Sequence, residues 1–387
     1  MRITLCYMKT TDVELQEFGR KIDAIRDRVK AEIGDTDLAH IEGVQGVSRA
    51  AEVLGRGLLH VSFEPVGFVS GVALLWLHKQ LEATEIGHPV LHGTYDKVPG
   101  AEAYGSKDYT WKTPIDEDSW RYVHNQLHHS HTNIAGKDPD IHFGPIRLTS
   151  HTPWKKHHRR QLLNTALLWS NFTFGINTQY TGMGDFLAGN DREEKFDFIE
   201  ERSPKVFREV LSKFLPKPAR YYAREFGLFP ALAGPMFPKV LFGNWLTEVM
   251  RDVYSAATIF CGHVGEDVAE YAEGTKATSR AEWYKMQVEA THNFEVPLPV
   301  SILCGALDRQ IEHHLFPRFP PNRLREIAPE VQRVCEEHGV TYKTGSWPST
   351  LRKALRRIRQ LSKPDLRSAQ HGAPPAPGTE QLDGLAA

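Results

Sequence analysis

The chain has 387 residues, enough for one large domain or two ordinary ones, and its 47 Lys and Arg residues nearly balance 48 Asp and Glu residues. This balance excludes the strongly basic character typical of nucleic-acid binders, so we expect no nucleic-acid partner. The four cysteines are far apart and form no C-x-x-C pair. They argue against a disulfide framework, a thiolate zinc site or an iron–sulfur cluster, and favour a reducing, cytosol-facing environment.

Residues 1–55 predict a soluble, amphipathic helical segment. Apolar residues recur there at intervals of three and four among many charged ones, as in VELQEFGRKIDAIRDRVKAEI. The amino terminus becomes charged before any apolar core can form, so it does not resemble a signal peptide.

Four apolar stretches follow, at residues 58–77, 161–184, 226–247 and 253–264. A membrane-spanning helix requires about 20 mainly apolar residues. Each stretch alone is equally compatible with a buried core helix, because each is short, diluted by polar residues or interrupted by a charge. Together they predict an all-α membrane protein with about four transmembrane helices.

The carboxyl-terminal part, residues 346–387, differs in composition from the central domain at 56–345. It contains LRKALRRIRQ, a predicted basic helix whose cations face either solvent or anionic lipid head groups. From Ser362 the chain is rich in Pro, Ala, Gly and Gln, which predicts a disordered tail.

Two clusters of histidine lie in the polar region after the first apolar stretch. His88 and His92 in GHPVLHG are four residues apart, which places both imidazoles on one face of a helix. Pro89 favours a helix that begins near His88. The second cluster, HNQLHHSHTN, repeats the spacing and adds an adjacent histidine. Its candidate ligands are His124, His128 and His129, and the periodicity turns His131 away from them.

The third cluster, QIEHHLFP, contains Gln310, His313 and His314. Any one cluster is also explained by an ordinary polar run, but three together predict a metal site. Imidazole-rich sites without thiolates suit iron, copper or zinc, and seven histidines are too many for one four-coordinate zinc, so we expect two metals. Each imidazole also needs a partner for its other ring nitrogen. Candidates close in sequence are Glu85, Asp96, Asn133, Asp138, Asp140, Asp308 and Glu312.

These motifs resemble those of the integral-membrane fatty acid desaturases. The resemblance rests on H-x-x-x-H, H-x-x-x-H-H and Q-x-x-H-H in this order, with similar flanks in EIGHPVLHGTYD, WRYVHNQLHHSHTNIAGKDPD and DRQIEHHLFPRFPPNRLREIA. It covers about residues 58–347 and is strongest with bacterial acyl-lipid or acyl-CoA desaturases. It implies a mushroom-like fold in which four membrane helices and a cytosolic helical cap hold two iron ions.

The resemblance also implies roles for residues outside the three clusters. His263 in FCGHVGED stands where the family has a further iron ligand, and Asn293 in THNF matches an asparagine near the metal. Gln310 replaces a histidine of other branches, which leaves direct iron binding by Gln310 open. Asp308 stands where relatives carry asparagine, so its local hydrogen bonding is also open. The predicted iron ligands are His88, His92, His124, His128, His129, His263, His313 and His314, with Gln310, Asn293, Asp96, Asp138 and Asp308 beside them.

The function implied by the resemblance is desaturation of a fatty acyl chain with dioxygen and two electrons, in a membrane, at a site facing the cytoplasm. An ordinary acid or base cannot remove hydrogen from an unactivated methylene, so the diiron centre supplies the chemistry and no separate side-chain base is needed. The substrate is an acyl-CoA or acyl-lipid.

The chain has no H-P-G-G haem motif, so electrons come from a separate ferredoxin, cytochrome b5-like protein or flavin reductase. Two alternatives stay open at this point. One is a related diiron hydroxylase or ketolase of alkyl or carotenoid substrates, and the other is a membrane metal-binding protein without turnover.

Overall fold

The computed structural model describes residues 12–188, 199 and 201–364, and its regular structure is helical. Within these ranges no β-strand forms, and only isolated bridges join Ile134 to Tyr271 and Glu295 to Ser346. The all-α part of the predicted fold class is therefore confirmed.

The helices of the amino-terminal half are, in chain order, α1 (Asp12–Glu32), α2 (Asp35–Val61), α3 (Pro65–Leu81), α4 (His88–Leu91), α5 (Glu117–Trp120), α6 (Gln161–Trp169), α7 (Phe172–Tyr180) and α8 (Met183–Ala188). Those of the carboxyl-terminal half are α9 (Pro204–Phe214), α10 (Pro216–Tyr222), α11 (Phe229–Leu232), α12 (Phe237–His263), α13 (Arg280–Glu289), α14 (Leu298–Cys304), α15 (Gln310–Leu315), α16 (Pro321–Glu337) and α17 (Trp347–Leu361). Wider, π-helical turns occur at Glu82–Gly87, Arg121–His128 and Ala223–Leu228.

Helices α2 and α3 form a hairpin, and α12 packs against it. Glu64 starts α3 by accepting a hydrogen bond from the Gly67 N–H at 2.7 Å, with Pro65 in the first turn. The two helices approach closely because Gly55 has no side chain: a Cβ there would lie 2.7 Å from the backbone nitrogen of Leu75. This group of three helices carries the first histidine cluster and His263 at its ends.

A second layer consists of α1, α13, α15 and α16, which pack around a shared apolar core. Its buried side chains include Phe18, Ile22, Tyr284, Ile311 and Val331. Burial of each such side chain contributes about 1.5–3 kcal/mol. The layer holds the short helix α15, and with it the third histidine cluster, against the ends of the first group.

Buried charges join α3, α12 and the π-helical turn that precedes α11. Lys79 donates to Glu225 at 2.8 Å and to Glu248 at 2.6 Å, and Arg251 pairs with Glu248 at 2.6 Å. Arg56 on α2 also donates to Glu225, at 2.8 Å. Charges this deeply buried are tolerated because each has an opposite partner.

The prediction of about four transmembrane helices is wrong: in the described parts of the chain, no helix combines the length and the apolarity needed to cross a bilayer. Residues 58–77 do not form one helix, because the turn at 62–64 divides them between α2 and α3. Residues 161–184 divide among three helices, of which the first two have nine residues each.

The two later apolar stretches are also either interrupted or charged. Residues 226–247 contain a π-helical turn, the short helix α11 and a 3₁₀ turn before α12 begins. Residues 253–264 form the end of α12, whose 27 residues are long enough but include Glu248, Arg251 and Asp252. The sequence shows these charges, but their pairing inside the protein depends on the tertiary structure.

The predicted basic helix forms as α17. Lys353 pairs with Asp267 at 2.7 Å and Arg357 with Glu270 at 2.5 Å, so part of its charge is neutralised within the protein. The predicted tail lies outside the described residues from 365 onwards. The division into 1–55, 56–345 and 346–387 stays a prediction.

Candidate metal centre and acyl cavity

The first histidine cluster sits where α3 widens into a π-helical turn and continues as α4. Pro89 does not mark a helix start, contrary to the sequence-based expectation, because the chain is already helical from Pro65. His88 and His92 still lie one turn apart, with their Nε2 atoms 3.3 Å from each other. π-helical turns are rare and frequently occur at functional sites.

The second cluster lies on another π-helical turn, Arg121–His128. Residues five apart share a face in such a turn, so His124 and His129 point the same way, with their Nε2 atoms 3.3 Å apart. His128 turns towards Asp138, whose Oδ1 accepts from its Nδ1 at 2.8 Å. The π geometry therefore adds a contact between His124 and His129 that α-helical spacing does not give, while His124 and His128 stay together with ring centroids 5.1 Å apart.

The third cluster and the end of α12 complete the site. Helix α15 presents His313 and His314, and the Nε2 of His314 lies 3.3 Å from that of His263, the last residue of α12. The side-chain amide nitrogen of Gln310 lies 2.7 Å from the same His263 nitrogen. Gly262 leaves the space for this contact, because a Cβ there would lie 2.6 Å from the Gln310 side chain.

The imidazole nitrogens form two adjoining groups, each with ligand atoms within 4.8 Å of one another. One group contains His88, His92, His124 and His313, and the other contains His128, His263 and His314. A third set, His124, His128 and the Asp140 carboxylate, links the two groups. The ring of His129 lies between them, with its centroid 4.8 Å from that of His313 and 4.4 Å from that of His314.

The spacing of these nitrogens fits bound metal. Two nitrogens held about 2.1 Å from a tetrahedral metal ion lie about 3.4 Å apart, and the Nε2 contacts here measure 3.3 Å. The Nε2 atoms of His128 and His313 are buried and have no hydrogen-bond partner among the described residues. Orphaned buried nitrogens are costly unless something binds them.

The electrostatics favour neutral imidazoles, the form that binds metal. Burial, together with the neighbouring imidazoles, lowers the pKa well below the usual range for His88, His92, His124, His129, His263, His313 and His314. His128 is different: burial would lower its pKa, but the carboxylates of Asp138 and Asp140 outweigh burial and raise it to about 9. In the metal-free protein this raised pKa places a proton on both ring nitrogens of His128, so a metal at Nε2 would displace one proton while Asp138 keeps the other on Nδ1.

Residues 64–346 match the model of a family described as fatty acid desaturase. The chain belongs to the fatty acid desaturase family. It is 32% identical, over 97% of its length and 87% of the relative, to an NADPH-dependent stearoyl-CoA 9-desaturase of Mycobacterium tuberculosis. An sn-1 linoleoyl-lipid 6-desaturase of Synechocystis is 27% identical over 73% of the chain and 78% of the relative.

A human protein named fatty acid desaturase 3 is 27% identical over 62% of the chain and 49% of the relative. The predicted family, the desaturase function and the assignment to the oxidoreductases are therefore confirmed. Desaturation is favoured over the hydroxylase and the non-catalytic alternatives.

Two contacts of this desaturase were missed from the sequence. The Nδ1 of His314 lies 3.1 Å from the Gln287 Oε1 and 3.0 Å from the Thr132 hydroxyl, which itself donates to Gln287 at 2.9 Å. Thr132 follows His128 by one helical turn, a spacing that could have indicated it. Gln287 lies on α13, outside every motif, and no sequence signal indicates it.

Two of the residues predicted to lie beside the ligands, Asn293 and Asp308, hydrogen-bond to groups other than the histidines. Asn293 donates to the Glu312 carboxylate at 2.7 Å and accepts from the Ile311 N–H at 2.8 Å, so it braces α15. Asp308 accepts from the Ser301 hydroxyl at 2.7 Å. These hydrogen bonds direct Asn293 towards α15 and Asp308 towards Ser301 rather than towards an imidazole nitrogen of the groups.

Asp96 is not brought to the centre: it is exposed and accepts from the backbone N–H and the hydroxyl of Ser106. Two further histidines also lie outside the groups. His131 contacts the Leu127 carbonyl through Nδ1 at 3.0 Å, and His292 contacts the Asn293 carbonyl at 2.6 Å.

A narrow cavity lies beside the histidine groups. Its apolar lining comes from α7, α12 and the loops around the second cluster, namely Ile115, Ile141, Phe143, Leu148, Phe172, Ile176, Ile259, Phe260, Val264 and Leu307. Trp111 is shared with a charged surface groove, and Phe143 with another groove that includes Lys155, His157 and His158. The cavity therefore lies next to two surface grooves and shares one lining residue with each.

Proposed function

We propose that this desaturase introduces a double bond into a fatty acyl chain at a centre of two iron ions. The observation that carries the proposal is the pair of adjoining imidazole groups on one wall of an apolar cavity. His88, His92, His124 and His313 would hold one iron, and His128, His263 and His314 the other. His129, between the groups, completes the set of eight.

Bound iron supplies the oxidising power, drawn from dioxygen, that an unactivated methylene requires. One dioxygen, two electrons and two protons from outside, with two hydrogens from the acyl chain, give two waters and one carbon–carbon double bond. The protein holds the ligands in place, excludes bulk water with the apolar lining, and orients the chain along the cavity.

The proposed substrate is an acyl-CoA. The relative named as a stearoyl-CoA 9-desaturase matches over nearly the whole chain. An acyl-lipid is the second candidate, because the Synechocystis relative carries that substrate in its name.

The electron donor is proposed to be a separate protein, either a ferredoxin, a cytochrome b5-like protein or a flavin reductase. The absence of an H-P-G-G motif from the sequence supports a separate donor. The location at a membrane, with the site facing the cytoplasm, stays a prediction. Exposed apolar side chains near the α2–α3 turn, Val61, Phe63, Val66 and Val69, support contact with lipid.

The test is to express the chain in a host that lacks the activity and to read double bonds from its fatty acids. His128→Ala and His314→Ala should abolish both iron binding and unsaturated product, whereas His131→Ala should retain both. Unsaturated product from either of the first two variants contradicts the site assignment, and an oxygenated product contradicts the reaction.

A further inference from the structure

The carboxylate of Asp140 faces one histidine from each imidazole group. Its Oδ2 lies 3.6 Å from the Nδ1 of His124, in one group, and 3.6 Å from the Nδ1 of His128, in the other. The two rings are stacked, with their centroids 5.1 Å apart. A single carboxylate therefore serves the Nδ1 side of both rings, and the Nε2 side of each remains available for metal.

Asp140 is held in place from the wall of the acyl cavity. The hydroxyl of Tyr180 donates to its other oxygen, Oδ1, at 2.6 Å. Tyr180 is the last residue of α7, and its buried side chain lines the cavity. The preceding residue, Gln179, donates through its side-chain amide to the Pro139 carbonyl. Two consecutive residues of α7 therefore bind the short 3₁₀ turn that carries Asp140.

Asp140 acts differently from the neighbouring carboxylate of Asp138. Asp138 accepts directly from the His128 Nδ1 at 2.8 Å, and His128 belongs to one group. The 3.6 Å contacts of Asp140 are longer than a hydrogen bond, so its effect on both rings is that of a nearby negative charge. Carboxylates beside metal-binding imidazoles orient the rings and make them better ligands. Asp138 therefore supports one metal position, whereas Asp140 supports two.

We propose that Asp140 and Tyr180 are a pair of positioning residues that hold both metal positions in place beside the acyl cavity. Asp140 orients His124 and His128 together, and Tyr180 acts through Asp140. This inference rests on the proposed function, in which each imidazole group binds one iron. The side chain of Tyr180 lines the space for the acyl chain and also holds this carboxylate, so one residue aligns the metal centre with the substrate.

Titration of the metal-free, full-length protein with Fe²⁺ tests the role of Asp140. Loss of a partner that orients a metal-binding imidazole costs about 10–100-fold in affinity or activity. Because Asp140 makes no direct bond to either ring, we expect Asp140→Asn to lower the affinity by about 10-fold, the lower end of that range, and to do so for both irons. Asp138→Asn is the comparison, since it should weaken one of the two irons. Both replacements keep the size of the side chain, so the fold should be retained.

Tyr180→Phe tests the second member of the pair. It keeps the ring on the cavity wall and removes only the hydroxyl, so the KM for a saturated acyl-CoA should be unchanged while kcat decreases. Its two iron affinities should decrease together, by a smaller factor than in Asp140→Asn, because the Asp140 charge is still present. Tyr284→Phe is the matched control. Tyr284 is a buried tyrosine of the second layer whose hydroxyl also donates to a carboxylate, that of Asp23, at 2.7 Å. This control should bind iron and form product as wild type does.

Several results would overturn the inference. One is an Asp140→Asn variant in which fewer than two irons are weakened, and another is an equal loss of iron affinity in Tyr284→Phe. A raised KM with unchanged kcat in Tyr180→Phe would assign that hydroxyl to substrate binding instead. Three irons in wild type and two in Asp140→Asn would make Asp140 a ligand rather than a positioning residue. A wild type that binds two irons but forms no unsaturated product contradicts the proposed reaction alone, because the iron titrations still decide the inference.

Discussion

Replacing Asp138 by asparagine tests how the second cluster is held. The buried carboxylate accepts from the His128 Nδ1 at 2.8 Å, from the Asn133 N–H at 2.7 Å and from the Asp140 N–H at 2.9 Å. Asparagine keeps one acceptor oxygen but turns an NH₂ group towards one of these donors. It also removes the negative charge that faces the His128 ring.

The expected magnitude follows from these contacts. A hydrogen bond to a charged group contributes about 1.5–3 kcal/mol, so the free energy of unfolding should fall by about that amount. Loss of the partner that orients a metal-binding imidazole costs about 10–100-fold in metal affinity or activity. We therefore expect Asp138→Asn to weaken iron binding about 10–100-fold and to reduce desaturation in parallel.

Iron affinity is measured by titrating the metal-free protein with Fe²⁺, and desaturation by the unsaturated product formed at saturating iron. Asp96→Asn is the control, because Asp96 is exposed and contacts Ser106 rather than a histidine. Its effect on stability should stay within about 0.5–1 kcal/mol, with wild-type iron binding. Wild-type iron affinity in Asp138→Asn would refute the assigned role of this carboxylate.

Gln287→Ala removes an acceptor for the His314 Nδ1, so iron affinity should fall about 10-fold. Gln287→Glu keeps the acceptor oxygen and should retain most of the iron affinity. Equal iron affinities in the two variants would contradict this role of Gln287. Burial lowers the pKa of His78 to about 3. Between about pH 6.5 and pH 3 the unfolded chain therefore binds a proton on His78 that the folded protein does not. As the pH decreases through this window, the free energy of unfolding decreases by up to about 1.4 kcal/mol per pH unit. Denaturant unfolding between pH 7 and 5 should show a flatter pH slope for His78→Gln, and an unchanged slope would contradict the prediction. Glu225→Ala leaves the buried Lys79 with one carboxylate fewer and should lower the free energy of unfolding by about 3–5 kcal/mol in the same assay, whereas a loss under about 1 kcal/mol would show that the pairing contributes little.

The chemistry of the site could be predicted from the sequence because it depends on residue types at short spacings. Imidazoles four residues apart, such as His88 and His92, are neighbours on one face of a helix. Their number and the lack of thiolates indicate two metals before any fold is known. The motif order also led to the family, which the comparisons confirm.

The arrangement of the ligands needed the tertiary structure. α-Helical spacing places His124 with His128, but the π-helical turn also brings the Nε2 of His124 within 3.3 Å of that of His129, five residues further on. Gln287 reaches His314 only because α13 packs against α15. Such contacts join residues far apart in the chain, so no local pattern encodes them.

The same distinction explains the wrong prediction of transmembrane helices. The local apolarity of residues 58–77 and 253–264 is equally compatible with a lipid environment and with a protein core. Only the tertiary structure shows that the turn at 62–64 divides the first apolar stretch, and that Lys79 and Arg251 pair with a buried carboxylate. The sequence by itself determined the family and the reaction, and it singled out the histidines that the structure brings together. The packing of distant helices decided which histidines lie next to one another, which side chains line the cavity and which charges lie inside, because these depend on contacts between residues far apart in the chain.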